Sequence, residues 1–277
     1  MLEPMIAVSV PDAIHWLLPH LPAPVRLREG LVILFGVGLL TGAMNALAGG
    51  GSFVTLPALI AFGVPSVQAN ASSTVALYPG GLASALTYHE RFGSVSGIAM
   101  RYLLAVTLAG GLAGSILLLR TPVSAFNLIL PWLLLFATLA LAFGQRIGSA
   151  LQGRFRVRPG PALLVQFGLG IYGGYFGGAV GLMMLATWYL FGENGTKALN
   201  GPRTLLVSAA NTIAVLTFIL AGAIWWPPTL AMLLGGVIGG YLGARLGRIL
   251  PRGLTRTLTL CWTASITAVF FVGAYLK

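Results

Sequence analysis

The chain has 277 residues, of which 57% are hydrophobic and 8% charged, and its mean hydropathy is +0.91. That balance excludes an ordinary soluble domain. The net charge of +11 would suit nucleic acid, but the basic residues are scattered through short loops with no basic face of stacking aromatics, so they read as topology signals and no nucleic-acid partner is expected.

The start, M-L-E-P-M, has no basic n-region and no A-x-A site, so no cleaved signal peptide is read there. Residues 11–21, P-D-A-I-H-W-L-L-P-H-L, are too short and too Pro-interrupted to span, which predicts an interfacial segment over residues 1–29. Residues 30–62 would run about 50 Å as one helix, against a hydrocarbon core of roughly 30 Å. Three consecutive glycines interrupt that region, in A-G-G-G-S-F from Ala48 to Phe53. The next segment, Q-A-N-A-S-S-T-V-A-L, places Asn70, Ser73 and Thr74 on one helical face. Ile98–Leu119 and Val123–Gly144 have spanning length and close a first membrane unit over residues 30–145.

A basic stretch, residues 146–160 with Arg154, Arg156 and Arg158, reads as a cytoplasmic linker to a second unit over residues 161–277. Residues 161–191 are again too long for one straight crossing, at about 46 Å, and carry Gly177, Gly178 and Gly181 near their middle. The following face carries Asn200, Arg203 and Thr204, then Ser208 and Asn211. Leu205–Trp226, Leu230–Leu246 and Leu258–Leu276 complete the spans. Cys261, the single cysteine, cannot form an intramolecular disulfide and is expected to be a small buried apolar residue.

The two units look like a duplication. G-V-G-L-L-T-G, Gly36–Gly42, matches G-L-G-I-Y-G-G, Gly168–Gly174; Asn70 and Thr74 match Asn200 and Thr204; G-G-L-A-G, Gly110–Gly114, matches G-G-Y-L-G, Gly239–Gly243. Lys and Arg divide nine against six between the two sides if both long regions cross once, eleven against four if both are re-entrant hairpins, and thirteen against two if only the second folds back. Because duplicated regions should behave alike, paired hairpins are expected. The fold is therefore predicted as all-α and polytopic: two inverted repeats, each a broken or re-entrant apolar region followed by three transmembrane helices.

Non-helical backbone at membrane depth is tolerated only where protein buries it or it lines a cavity. The N-terminus of a half-helix after such a break presents free amides and partial positive charge, and glycine lets an anion approach. Gly49, Gly50, Gly51 and the Ser52 hydroxyl are therefore candidates to bind an anion, with Gly177 and Gly178 as counterparts. Glycines spaced like Gly173, Gly177 and Gly181, or Gly239, Gly243 and Gly247, could instead pack helices tightly. Arg203 aligns with Ser73; it either holds an oxyanion through its planar fork or snorkels to the interface near Lys197 and Glu193. Asn45, Asn70 and Asn200 either line the site or join helices by hydrogen bonds.

The five carboxylates, Glu3, Asp12, Glu29, Glu90 and Glu193, all fall outside the predicted spans, as do the three histidines. A carboxylate-lined cation pathway and tight proton coupling through a buried acid are therefore not expected, and no metal or cofactor is predicted. An intramembrane enzyme using Ser52 as nucleophile would need a base that no span offers. A membrane scaffold or assembly factor is the remaining alternative, and the glycine faces leave a homodimer open.

N-A-L-A-G-G-G-S-F-V-T-L-P-A-L from Asn45, A-N-A-S-S-T from Ala69 and P-G-G from Pro79 resemble the TauE/SafE sulfite-exporter family, also called the toluene-sulfonate uptake permease family. Y-G-G-Y-F-G from Tyr172 and N-x-x-R-x-L-L from Asn200 resemble its second repeat, although G-G-A-V-G-L stands where the family often has denser glycine. The resemblance implies transport of small sulfur-containing oxyanions such as sulfite, sulfoacetate or other sulfonates across a bacterial inner membrane. The expected function is thus a permease for a small anionic substrate, exporting it down the membrane potential.

Overall fold

The computed structural model describes residues 27–48, 50–87, 94–150, 158–193, 196–246, 249 and 252–275. The predicted interfacial segment thus lies almost wholly outside the described residues, as do Gly49 and residues 151–157 of the linker. Among the described residues ten helices follow one another: α1 (Leu27–Ala48), α2 (Ser52–Ala61), α3 (Ser66–Thr87), α4 (Met100–Arg120), α5 (Val123–Ala150), α6 (Pro159–Tyr175), α7 (Val180–Leu190), α8 (Thr196–Leu220), α9 (Trp226–Leu246) and α10 (Arg252–Tyr275). They form two runs of five with the same order, in which a long helix, a short one and three long ones succeed each other. The expected all-α, polytopic class is what the chain adopts.

Six helices among the described residues, α1, α4, α5, α8, α9 and α10, are long and apolar enough to cross a membrane. At 22 residues α3 is also long enough, but Gln68, Asn70, Ser72, Ser73 and Thr74 dilute its hydropathy. Polarity is turned inward. Thr41, Ser72, Thr107 and Thr263 are fully buried, whereas Val32, Leu164 and Leu220 are exposed, as suits a bundle whose outer solvent is lipid.

Several predicted boundaries move for identifiable reasons. The span expected over Leu205–Trp226 is shifted: α8 starts at Thr196 and stops at Leu220, where Gly222 turns the chain at φ +65°. α9 starts at Trp226 rather than Leu230 because Pro227 and Pro228 fall in its first turn, where their missing N–H groups leave no bond unmade. α5 continues to Ala150, so helix covers the first residues of the basic stretch. Cys261 is exposed, contrary to expectation, because it lies with Leu258 and Trp262 on the outward face of α10.

The glycine matches between the two units are contacts. α1 packs on α9 and α6 packs on α4, so each unit's first helix lies against the other unit's fourth element. Gly42 sits against Gly236, Gly239 against Leu39, Gly114 against Ile171 and Gly174 against Gly111, backbone to backbone. Residue numbers rise together across both interfaces, so both pairs are parallel. The Gly239 and Gly243 stripe serves intramolecular packing, as one of the two readings held. Gly173, Gly177 and Gly181 do not form a second stripe, because the α6–α7 break falls between them.

α3 and α8 cross antiparallel, with Tyr78 Oη 2.9 Å from Thr212 Oγ1 and Ser208 Oγ donating to the Gly81 carbonyl at 3.0 Å. α5 and α10 are also antiparallel: Thr138 Oγ1 lies 3.1 Å from Thr267 Oγ1, and Arg256 Nη2 donates to the Ala142 carbonyl at 2.8 Å.

A methyl group at Gly42 would overlap the Gly236 carbonyl, while one at Gly36 meets nothing. Gly42→Ala is therefore expected to cost about 1–3 kcal/mol through forced separation of α1 from α9, and Gly36→Ala to be neutral or slightly stabilising. Thermal unfolding of the detergent-solubilised variants checks this; equal behaviour of the two would contradict the close pairing.

Candidate functional site at the two helix breaks

After Ala48 the α1 hydrogen-bond ladder stops, and α2 begins anew at Ser52. Val54 and Thr55 N–H donate to the Gly51 carbonyl at 3.0 and 3.2 Å, Phe53 N–H donates to the Gly50 carbonyl at 3.2 Å, and no side chain caps the start of α2. The N–H groups that precede these have no intrahelical acceptor by construction. Gly51 fits where any larger residue would press on Thr41, Asn45 and Leu77, each 3.1 to 3.2 Å from a methyl placed there. Gly50 faces α10, with Thr259 Cγ2 3.0 Å from the same notional group.

Pro57 lies inside α2 and cannot bond the Phe53 carbonyl. Trp262 of α10 takes that place, its Nε1 donating to Phe53 O at 3.3 Å. The Thr55 and Ser73 hydroxyls hydrogen-bond to each other and fix α2 against α3.

The second break is built differently. Phe176 and Gly177 N–H both donate to the Tyr172 carbonyl, at 2.9 and 3.2 Å, and Gly177 closes α6 at φ +77°. Ala179, at φ 58° and ψ 9°, starts α7 without a side-chain cap. This left-handed alanine stands where the resemblance leads one to expect more glycine, and the conformation costs an L-residue about 1–2 kcal/mol. Strain held at a functional position is a recurring signature of binding sites.

The two breaks occupy equivalent places. Gly51 abuts Leu77 near the middle of α3, and Gly181 abuts Val207 near the middle of α8, with both members of the second pair 130 residues after the first. Arg203 lies one turn before Val207, and its Cγ and Cδ pack 3.5 and 3.4 Å from a methyl placed at Gly181. Its aliphatic stem thus rests on the first turn of α7. Ser73 holds the corresponding position in the first unit, so a cation accompanies only one of the two breaks.

The remaining candidates divide. Asn70, 2% exposed, donates from Nδ2 to the Tyr175 carbonyl at 2.9 Å, joining α3 to the last turn of α6. Thr74 and Thr204 turn back on their own helices, donating to Asn70 O and Asn200 O at 2.9 Å each. Asn45 and Ser52 lie beside the first break, half-buried, and Asn200 is half-buried on α8. Gly178 packs on the ring of Phe176. Thr41 is the residue sequence reasoning missed: it is fully buried against Gly51, and its Oγ1 has no partner among the described residues. Its spacing four before Asn45 was the available signal. Asn211 Oδ1, 3.8 Å from a methyl placed at Gly177, is likewise unpartnered among the described residues. No group of three His, Cys, Asp or Glu that could hold a metal occurs among them.

Uncapped half-helix starts, buried orphan oxygens and one cation belong to a bundle that the profile of a known family, described as Sulfite exporter TauE/SafE, matches over residues 34–270. The chain belongs to the TauE/SafE family. It is 33% identical over 207 residues to the Probable membrane transporter protein YfcA of Escherichia coli K12, covering 74% of this chain and 76% of that one. A Probable membrane transporter protein of Haemophilus influenzae is 30% identical over 208 residues, 75% of this chain and 81% of the relative. Probable membrane transporter protein ORF9 of a Sinorhizobium species is 27% identical over 206 residues, 74% of this chain and 78% of the relative. No solved structure matches. This TauE/SafE protein is a membrane transporter rather than an enzyme, and a multi-pass protein of the bacterial inner membrane.

Ala179→Gly in this transporter should remove the left-handed penalty and raise stability by about 1 kcal/mol, net of glycine's entropy cost. Thermal unfolding in detergent is the check; a drop in stability would show that the Ala179 methyl group matters more than its backbone.

Proposed function

We propose that this transporter is a permease for small sulfur-containing oxyanions of the sulfite or organosulfonate type, and that it exports them down the membrane potential. The observation that carries the reading is Arg203 laid across Gly181, on the uncapped first turn of α7. A half-helix start supplies amides and about half a positive charge, and the adjacent guanidinium supplies a planar fork suited to an oxyanion. In this reading Gly177, Gly178, Asn200, Arg203 and Thr204 form the charged side of the site. Asn45, Gly50, Gly51 and Ser52 line its neutral side, with Asn70, Ser73 and Thr74 between them on α3.

The directions of the helices support two inverted halves. α9 runs parallel to α1 and opposite to α8, which a five-residue connection joins to it; α8 is antiparallel to α3, so α1 and α3 point the same way. In this reading the chain turns back through α2, and by the same argument through α4 and α6 it turns back through α7. This arrangement puts eleven basic residues on one side and four on the other, leaving out Arg203, in keeping with the positive-inside rule. Halves so related can expose a shared site to each face in turn by rocking against each other. With the cytoplasm negative, an outward-moving anion gains about 2.3 kcal/mol per charge per 100 mV, so export needs no buried acid to couple it.

Purified protein in proteoliposomes on a solid-supported membrane, challenged with sulfite, thiosulfate, sulfoacetate, sulfate and chloride, tests this. A saturable current for a sulfur oxyanion is expected, reduced at least about tenfold in Arg203→Ala and less in Arg203→Lys, since one charge-assisted bond to an anion is worth roughly 1.5–3 kcal/mol. An unchanged Arg203→Ala current would remove Arg203 from the site. Absence of both current and labelled flux for every sulfur oxyanion would overturn the substrate class.

A further inference from the structure

Beside Gly177 the second break holds a methyl-sized gap faced by two oxygens. Gly177, at φ +77°, has no Cβ, and among the described residues a methyl placed there would have two heavy atoms within 4 Å beyond its chain neighbours: the Gly173 carbonyl oxygen at 3.4 Å and Asn211 Oδ1 at 3.8 Å. Neither oxygen has its ordinary donor. In an unbroken helix Gly177 N–H would donate to the Gly173 carbonyl, but here it donates to that of Tyr172 at 3.2 Å. Asn211 Oδ1 is buried without a partner among the described residues. A buried acceptor left unmatched is costly, so the pair calls for a donor.

The gap lies in line with the cation of the same break. Gly177 faces Asn211 while Gly181 faces Val207 and Arg203, so the segment from Gly177 to Gly181 runs antiparallel along α8. Arg203, Val207 and Asn211, at i, i+4 and i+8, fall on one side of that helix. The offset of 130 that relates Thr74 to Thr204 sets Arg203 against Ser73 and Asn211 against Gly81. Both departures from the repeat thus fall at one break, one supplying positive charge and the other an acceptor. Gly177 and Val180, three residues apart, are separated by at most roughly 11 Å, so one small molecule can meet the first amides of α7 and the gap together.

We infer that Asn211 Oδ1 and the Gly173 carbonyl form a subsite for a hydroxyl on the substrate, which selects small hydroxyl-bearing sulfonates over their apolar counterparts. The inference rests on the proposed oxyanion site at Arg203 and adds the other end of the molecule. Sulfonate oxygens accept from the guanidinium and the α7 amides, and the hydroxyl donates into the gap. A carboxylate in that place would meet two acceptors with nothing to donate, so the subsite disfavours sulfoacetate. Nor do two neutral oxygens make a cation site, since hard cations take about six oxygen ligands. Asn211 is a specificity-determining residue in this scheme, and Gly177 leaves the space that a side chain would fill.

The test is counterflow by the full chain in proteoliposomes, with two labelled probes of nearly equal size, 2-hydroxyethanesulfonate and propane-1-sulfonate, which differ by a hydroxyl in place of a methyl. The wild type is expected to take the hydroxyl compound with a KM about tenfold lower, as a buried hydrogen bond made in place of an unmatched acceptor gives. Asn211→Leu, close in volume, should bring the two KM values within about threefold of each other, because the side-chain acceptor is gone. Structural damage alone would weaken both probes in proportion and leave their ratio at the wild-type value. Equal KM values in the wild type, as for a gap that holds only water, would overturn the inference, and so would a preference that survives Asn211→Leu. Should the variant fail to accumulate, the wild-type ratio decides alone. Sulfite flux with neither sulfonate carried leaves the permease reading standing and overturns the subsite. Absence of flux for every sulfur oxyanion overturns both.

Discussion

Everything in this bundle answers to one constraint: a helix that stops inside a membrane leaves amides and carbonyls with no water to take them. The chain interrupts helix after Ala48 and after Tyr175, within its two long apolar regions, and partners for the freed groups come largely from elsewhere in the sequence. Asn70 of the first unit caps the Tyr175 carbonyl of the second. Trp262, near the C-terminus, serves the Phe53 carbonyl that Pro57 abandons. The N-terminal ends of α2 and α7 are the exceptions. No side chain caps either, and those uncovered amides are what makes the breaks interesting as sites.

The same exchange governs packing. Neither unit completes itself, because the glycine face of α1 is covered by α9 and that of α6 by α4. Hydrophobic burial gives helices in lipid little reason to associate, so close backbone approach across glycines supplies the attraction instead. Rigid interlocked pairs then frame a softer interior of threonine, serine and asparagine. Stiff glycine-packed pairs around a polar interior are what the proposed rocking of two halves would use.

Much of this was legible in the residues. The excess length of residues 30–62 and 161–191 announced breaks, and the glycine clusters located them. The matched glycines announced a repeat, though pattern alone could not say that matched faces would cover each other crosswise. Arg203 stood out as a cation in a polar segment, but its contact with Gly181 depends on how α7 returns toward α8. Asn70 could be read as lining a site or as joining helices, and its bond to the Tyr175 carbonyl shows the second role without deciding the first, since a buried amide answers to whichever orphan carbonyl the fold brings near. Thr41 was hidden by its ordinariness; a threonine in a membrane helix normally bonds its own backbone, as Thr74 and Thr204 do. Cys261 was misjudged because periodicity in a uniformly apolar helix does not tell the inward face from the outward one.

The pairing of α1 with α9 also sets a timetable for biogenesis. α4 is already in the bilayer when its partner α6 emerges, so that interface can close at once. α1, which begins at Leu27, must wait for a helix that begins at Trp226, about 200 residues later. At roughly 5–20 residues per second of synthesis, that interval is on the order of 10–40 s. Throughout it, the glycine face of the first helix lies open to lipid and to any other helix nearby. The order of synthesis alone thus leaves the α1 face without its α9 partner until the last third of the chain has been made.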